Sequence, residues 1–200
     1  MGSNNIVNVT KHSLFPTLIW EFDLSEKKTM LSNMKRFILK TKNDDPVGRR
    51  KSNYGGWQSK GYNKYVKEFH DFEKIINDII SGIKKELDIP NLNLTEYWFN
   101  VNEYGDYNEL HNHFGEYLSG VFYISVTEKS MGNIHFYRGD NMKYYTNKLP
   151  RPNNVTGQKI DYESKTGKLL IFPGWLDHSV DGSRSKDKRI SISFNYKLKS

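Results

Sequence analysis

The chain has 200 residues, 36% hydrophobic and 14% aromatic, which is enough for one domain with its own core and too much for a disordered segment. It has no cysteine, which excludes disulfides, thiolate metal sites and a cysteine nucleophile, so any metal must be held by imidazole and oxygen ligands. The formal charge of +7 raises the question of nucleic acid or an acidic partner. However, the basic residues (Lys27-Lys28, Arg49-Arg50-Lys51, Lys84-Lys85, Lys186 to Arg189) are scattered, with no basic helix or aromatic RNA-binding signature, so a solvated surface is expected and nucleic acid is not the expected partner.

No apolar run approaches the ~20 residues of a membrane span. The start, Met1 to Asn5, lacks the basic and apolar regions of a signal peptide. The expectation is a soluble cytoplasmic protein with no membrane contact.

In chain order, Leu14 to Phe22 reads as extended, with Pro16 arguing against a central position in a sheet. Ser25 is a candidate N-cap for a helix carrying Met30, Met34, Phe37 and Ile38 on one face. Residues 43–63 read as loop, with Tyr54 and Trp57 exposed; with Tyr62 and Tyr65 they form either a lid or packing onto the body. A second helix is marked by Phe69, Phe72, Ile76, Ile79, Ile80, Ile83 and Leu87 at spacings of three and four, and stops before Pro90. Each helix has one apolar stripe, so each is expected to cover the outside of a sheet.

After Leu94 the period changes to two. Glu96 to Glu103, Tyr117 to Val126, Asn133 to Tyr137, Lys168 to Phe172 and Arg189 to Leu198 read as strands, and 138–166, with Pro150 and Pro152, as a long polar excursion. Short strands without intervening helices predict a sandwich or barrel. The expected organisation is a single domain over 1–200, with 1–95 as support and 96–198 as the β core.

Two stretches carry chemistry. In Gly105-Asp106-Tyr107-Asn108-Glu109-Leu110-His111-Asn112-His113, the two histidines share one face if the segment is a strand. In Gly167-Lys168-Leu169-Leu170-Ile171-Phe172-Pro173-Gly174-Trp175-Leu176-Asp177-His178, an apolar strand delivers a third histidine, and eleven residues later a strand opens at Arg189-Ile190-Ser191.

These residues resemble the 2-oxoglutarate/Fe(II) oxygenases of the prolyl-4-hydroxylase-like group, and the context (Leu14-Phe15-Pro16-Thr17, Leu118 to Tyr123, Arg189 to Asn195) resembles a small bacterial and phage family of such oxygenases. The likeness covers roughly residues 96–197. It implies a mostly β (α+β) fold, a double-stranded β-helix (jelly-roll, cupin-like) with supporting N-terminal helices. It also implies a dioxygenase using Fe(II), 2-oxoglutarate and O₂ to hydroxylate a peptidyl (prolyl-like) or small-molecule substrate. By resemblance, His111 and His178 are metal ligands, Arg189 and Ser191 hold the cosubstrate, Tyr123 contacts it, and Asn102 and Asn195 are weaker pocket candidates. His113 stands where the family usually has Asp. It is itself the third ligand, or Glu116 or Asp106 takes that place, or two protein ligands and water suffice; the sequence leaves these open.

The other histidines read differently: His12 and His70 as surface residues, His135 as a satisfied wall residue. Asp177 is expected to point away from its neighbour His178. Two rival readings remain: a cupin metalloenzyme binding Mn, Zn or Fe through three His and Glu116 without 2-oxoglutarate, which leaves Arg189 and Ser191 without a task, and a non-catalytic jelly-roll binding module. Substrate identity and oligomeric state are not legible.

Overall fold

The computed structural model describes residues 9–144, 148 and 153–199. The elements run β1 (Trp20–Asp23), α1 (Lys28–Asp44), β2 (Asn53–Tyr54), β3 (Trp57–Gln58), α2 (His70–Leu87), β4 (Leu92–Asn102), β5 (Tyr107–His111), β6 (Leu118–Ser125), β7 (Ile134–Tyr137), β8 (Lys159–Tyr162), β9 (Lys168–Pro173), β10 (His178–Val180) and β11 (Arg189–Leu198). They form two antiparallel sheets, a larger one in the order β1-β9-β6-β11-β4-β3 and a smaller one in the order β2-β5-β10-β7-β8. This is the expected jelly-roll, with the two sheets not closed into a barrel.

The period-two pattern gives the larger sheet two different faces. Tyr97, Phe99 and Val101 of β4, Phe122 and Ile124 of β6, Leu169 and Ile171 of β9, and Ile190, Ile192 and Phe194 of β11 point to the helices. There they meet Met30, Met34 and Ile38 of α1 and Phe72, Ile76, Ile80 and Ile83 of α2 in the main core. Burying each such side chain contributes about 1.5–3 kcal/mol before conformational entropy is set against it. The alternate residues, including Trp98, Asn100, Asn102, Tyr123, Arg189, Ser191 and Ser193, face the smaller sheet and line a cavity between the two. A single alternation therefore produces both the core and the cavity floor.

Several expectations are corrected. Ser25 does not cap α1: Asp23 Oδ1 accepts from the Ser25 backbone N–H at 2.8 Å, closing an earlier turn, and the helix starts at Lys28 with no side-chain cap. The segment read as loop contains β2 and β3. Trp57 is buried with its indole N–H on the Asp45 carbonyl, and Tyr65 stacks on Tyr97 at 4.7 Å while Tyr62 stacks on the other side at 5.3 Å. These rings pack onto the body and form no lid; Tyr54 stays exposed, stacked on Tyr107. The 138–166 excursion contains β8, an edge strand paired with β7, while Pro150 and Pro152 lie outside the described residues. α2 ends at Asp88 in the left-handed conformation, before Pro90 as expected. Among the described residues no helix is long and apolar enough to cross a membrane.

Candidate metal and cosubstrate site

β10 is three residues long and lies between β5 and β7, with His178 directly opposite His111 in the pairing register. The sequence expectation of two histidines on one strand holds only for His111, because β5 ends there. The chain then turns back through Gly115 at φ +85°, with the Glu116 N–H on the His113 carbonyl and the His113 N–H on the Gly174 carbonyl. This turn brings His113 to the same point by a different route. A ligand nitrogen from each of His111, His113 and His178 lies within 4.8 Å of the others. Among the described residues neither Glu116 nor Asp106 joins the cluster. The Glu116 carboxylate accepts from Thr95 Oγ1 at 2.8 Å and meets Lys197 Nζ at 3.5 Å, and Asp106 Oδ2 accepts from the Glu103 N–H at 2.7 Å.

Each ring has its Nδ1 beside an oxygen acceptor. His111 Nδ1 is 2.6 Å from the Glu109 carbonyl, His178 Nδ1 is 2.8 Å from the Leu176 carbonyl, and His113 Nδ1 is 2.5 Å from Asn195 Oδ1, which also accepts from Ser119 Oγ. In a neutral ring this assigns the proton to Nδ1 and leaves a lone pair on Nε2, the arrangement that imidazole metal ligands require. Ser52 Oγ is 3.2 Å from His111 Nε2 and donates to it. Three neutral nitrogen donors without thiolate suit Fe(II) among other divalent ions.

Burial drives the electrostatics. It depresses the His178 pKa to about 3, with His111 and His113 adding to the effect. Burial likewise lowers His111, against the Glu109 carbonyl, and His113, against Asn195. The native metal-free site is thus neutral, whereas the unfolded chain binds protons near pH 6.5. The resulting stability is complete above about pH 6.5 and is lost as pH falls toward the depressed folded values. The metal-free protein is therefore expected to melt at progressively lower temperature from about pH 7 to pH 4. The slope should be shallower in His178→Ala; equal slopes in the two proteins would contradict this.

Farther along the same cavity, of about 500 Å³, lie Arg189, Ser191, Tyr123 and Asn102. Arg189 is 2% exposed, and its Nη1 donates to the Met131 (2.7 Å) and Gly132 (3.0 Å) carbonyls. Gly132, at φ +89°, makes room for this: a Cβ there would lie 2.3 Å from the Asp181 carbonyl oxygen and 2.8 Å from Nη1. Among the described residues no carboxylate lies in direct ion-pair contact with Arg189, and burial lowers its pKa while Tyr123 and the more distant Asp106 and Asp181 oppose the shift. An almost fully buried cation with no carboxylate in direct contact is costly unless an anion joins it. Burial pushes the Tyr123 phenol up to about 12, so it remains a hydrogen-bond donor.

His12 and His70 are exposed as expected, and Asp177 accepts from Asn112 Nδ2 at 2.7 Å instead of bonding His178. His135 departs from the expected satisfied wall residue: it is buried with Nδ1 2.6 Å from Asp161, it does not line the cavity, and its Nε2, 2.7 Å from Asp181 Oδ2, makes no hydrogen bond. Sequence reasoning missed Arg49, Ser52, Gln58, Glu96 and Trp98 of the cavity wall. For Glu96 and Trp98 a signal was present, since both are in phase with Asn100 and Asn102 on the polar face of β4; for Gln58, in a segment read as loop, there was none.

The profile of a family described as "Putative 2OG-Fe(II) oxygenase" matches residues 96–195. No curated protein matches the chain. Among solved structures, a Pseudomonas putida prolyl-4-hydroxylase is similar at TM-score 0.69 and 12% identity, covering 92% of this chain and 94% of that one. HygX from Streptomyces hygroscopicus, with nickel and 2-oxoglutarate bound, is similar at 0.66 and 11%, covering 91% and 83%. A Trichoplax adhaerens prolyl hydroxylase in complex with a hypoxia inducible factor peptide fragment is similar at 0.67 and 11%, covering 89% and 82%. At these identities the likeness shows a shared fold.

Proposed function

The chain belongs to this family of 2OG-Fe(II) oxygenases, and from that premise we propose that it is a single-domain, Fe(II)- and 2-oxoglutarate-dependent dioxygenase that hydroxylates a peptidyl (prolyl-like) or small-molecule substrate. The observation that carries the reading is one cavity holding both three imidazoles with Nε2 available and a buried arginine that no carboxylate contacts directly. The hydroxylase part is supported by the likeness to prolyl hydroxylases of two organisms.

In this reading His111, His113 and His178 hold the metal through Nε2. Bound Fe(II) together with 2-oxoglutarate supplies O₂ activation, with oxidation of the cosubstrate to succinate and CO₂ coupled to oxidation of a substrate C–H bond. Arg189 binds the far carboxylate of the cosubstrate through charge-assisted hydrogen bonds, a task its planar fork suits better than a lysine would. Ser191 and Tyr123 each donate an O–H toward the same end. Val121, Ile134, Phe172 and Val180 make the apolar wall that keeps water from the reacting end. The test is to supply 2-oxoglutarate and O₂ to the iron-loaded protein and measure succinate. Iron-dependent succinate release, however slow without the primary substrate, is expected; none above the metal-free control would overturn the reading.

His113 as third ligand yields a separate expectation. His113→Asp restores the carboxylate usual in the family and should retain or strengthen Fe(II) binding, whereas His113→Ala should weaken it in an anaerobic metal titration. If alanine binds iron as well as wild type, His113 is a neighbour and not a ligand. A second reading, a cupin metalloenzyme that does not use 2-oxoglutarate, is favoured by the convergence of three imidazoles, whereas the Glu116 it would add is held instead by Thr95 and Lys197.

A further inference from the structure

Ser52 stands beside the three histidines but belongs to none of the strands that carry them. It immediately precedes β2, whose Asn53 and Tyr54 pair with Asn108 and Tyr107 of β5, the strand that ends at His111. The Glu109 N–H donates to the Ser52 carbonyl at 3.0 Å, so the backbone is tied to that strand and the side chain is left to turn about one bond. The hydroxyl is the middle of a short chain. Asn108 Nδ2 donates to Ser52 Oγ at 3.2 Å, and Ser52 Oγ lies 3.2 Å from His111 Nε2.

The direction of the last bond follows from the ring. His111 Nδ1 is 2.6 Å from the Glu109 carbonyl, which has no proton to give, so in the neutral ring Nδ1 carries the proton and Nε2 the lone pair. Ser52 therefore donates. A neutral imidazole has one such lone pair, and it cannot accept from a hydroxyl and hold a cation at the same time. The distance sharpens the conflict. Two ligand atoms about 2.1 Å from one ion are about 3.0 Å apart at a right angle and about 3.4 Å apart in a tetrahedron. The Ser52 oxygen, at 3.2 Å, stands where a neighbouring ligand atom of the same ion would stand. What it turns toward Nε2 is its hydrogen and not a lone pair, and a neutral hydroxyl is not among the imidazole, carboxylate and thiolate donors that such ions favour.

We infer that Ser52 is a positioning residue of the metal centre: its hydroxyl holds the Nε2 lone pair of His111 until a divalent cation takes it, and turns away when the cation binds. Cation binding then exchanges a hydrogen bond for a metal bond and releases an O–H into the cavity that Ser52 lines. The inference rests on the reading of His111, His113 and His178 as metal ligands, and it is independent of 2-oxoglutarate.

The probe is Zn(II), titrated against a chromophoric chelator into wild type, Ser52→Ala and Ser52→Thr. The ring-nitrogen resonances of His111, identified by their loss in His111→Ala, are followed in the same samples, and the amide spectrum of each variant reports its fold. Ser52→Ala is expected to bind Zn(II) tighter by roughly two- to tenfold, the scale of one hydrogen bond that no longer has to be broken. Ser52→Thr keeps the hydroxyl and should bind as wild type does. Before zinc is added, the Nε2 resonance of Ser52→Ala should differ from that of wild type; at saturation the two should coincide, because Ser52 no longer touches the ring. Weaker zinc binding in Ser52→Ala, with resonances that still differ at saturation, would make Ser52 a ligand and overturn the inference. Equal affinity with equal resonances before zinc would overturn it as well, leaving the three-histidine site intact. If wild type and both variants bind no Zn(II), the metal reading fails and the inference falls with it.

Discussion

His178→Ala is expected to lose stoichiometric Fe(II) under anaerobic loading, the largest effect of any substitution considered. His178 is 4% exposed, sits on a strand paired on both sides, and is held by its Nδ1 contact to the Leu176 carbonyl, and among the described residues no fourth His, Asp or Glu joins the cluster. Removing an outer partner of a metal ligand typically costs about 10–100-fold in affinity, and removing the ligand itself should exceed that. His111→Ala should behave in the same way. The exposed His12 provides the control, because His12→Ala should bind iron as wild type does. Undiminished iron in His178→Ala with an intact circular dichroism spectrum would remove that residue from the site.

Arg189→Ala is expected to bind 2-oxoglutarate weaker by roughly two to three powers of ten, while Fe(II) binding stays close to wild type. Truncating one member of a buried, charge-assisted pair typically costs about 2–5 kcal/mol, and each 1.4 kcal/mol or so is a factor of ten. The loss should be specific to the cosubstrate because Arg189 bonds the Met131 and Gly132 carbonyls and no histidine of the cluster. Because truncation also leaves the Met131 and Gly132 carbonyls without their donor, the melting temperature is expected to fall, and 2-oxoglutarate affinity is compared below the variant's melting transition. Equal 2-oxoglutarate affinity in variant and wild type would mean that the anchor lies elsewhere.

The larger part of the fold was legible because period and composition are set by burial. The seven apolar positions from Phe69 to Leu87 and the alternation in β4, β6 and β11 follow directly from which side chains meet the core. Elements that failed to register were short or amphipathic at the edge: β2 and β3 have two residues each, β8 is a four-residue edge strand with alternate residues exposed, and β10 has three. Strands that short carry no period. The histidines and Arg189 were legible by resemblance, but their arrangement was not. That His113 leaves its strand through the Gly115 turn, and that Asn195 fixes its ring, depends on contacts 82 residues apart. Gln58 and Arg49 were not legible for the same reason, since only the packed structure ties the Arg49 N–H to the Gln58 carbonyl and its guanidinium to Glu96.

The central claim is that one cavity binds iron at three histidines and 2-oxoglutarate between that iron and Arg189. It is tested most directly by titrating the anaerobic Fe(II)-loaded wild-type protein with 2-oxoglutarate while following visible absorption and heat. The account predicts a saturable, weak visible charge-transfer band with one cosubstrate per iron, absent in His178→Ala and shifted to much higher concentration in Arg189→Ala. An iron-loaded wild-type protein that gives neither the band nor any binding heat would contradict it and leave the three histidines as a cupin centre that does not use 2-oxoglutarate.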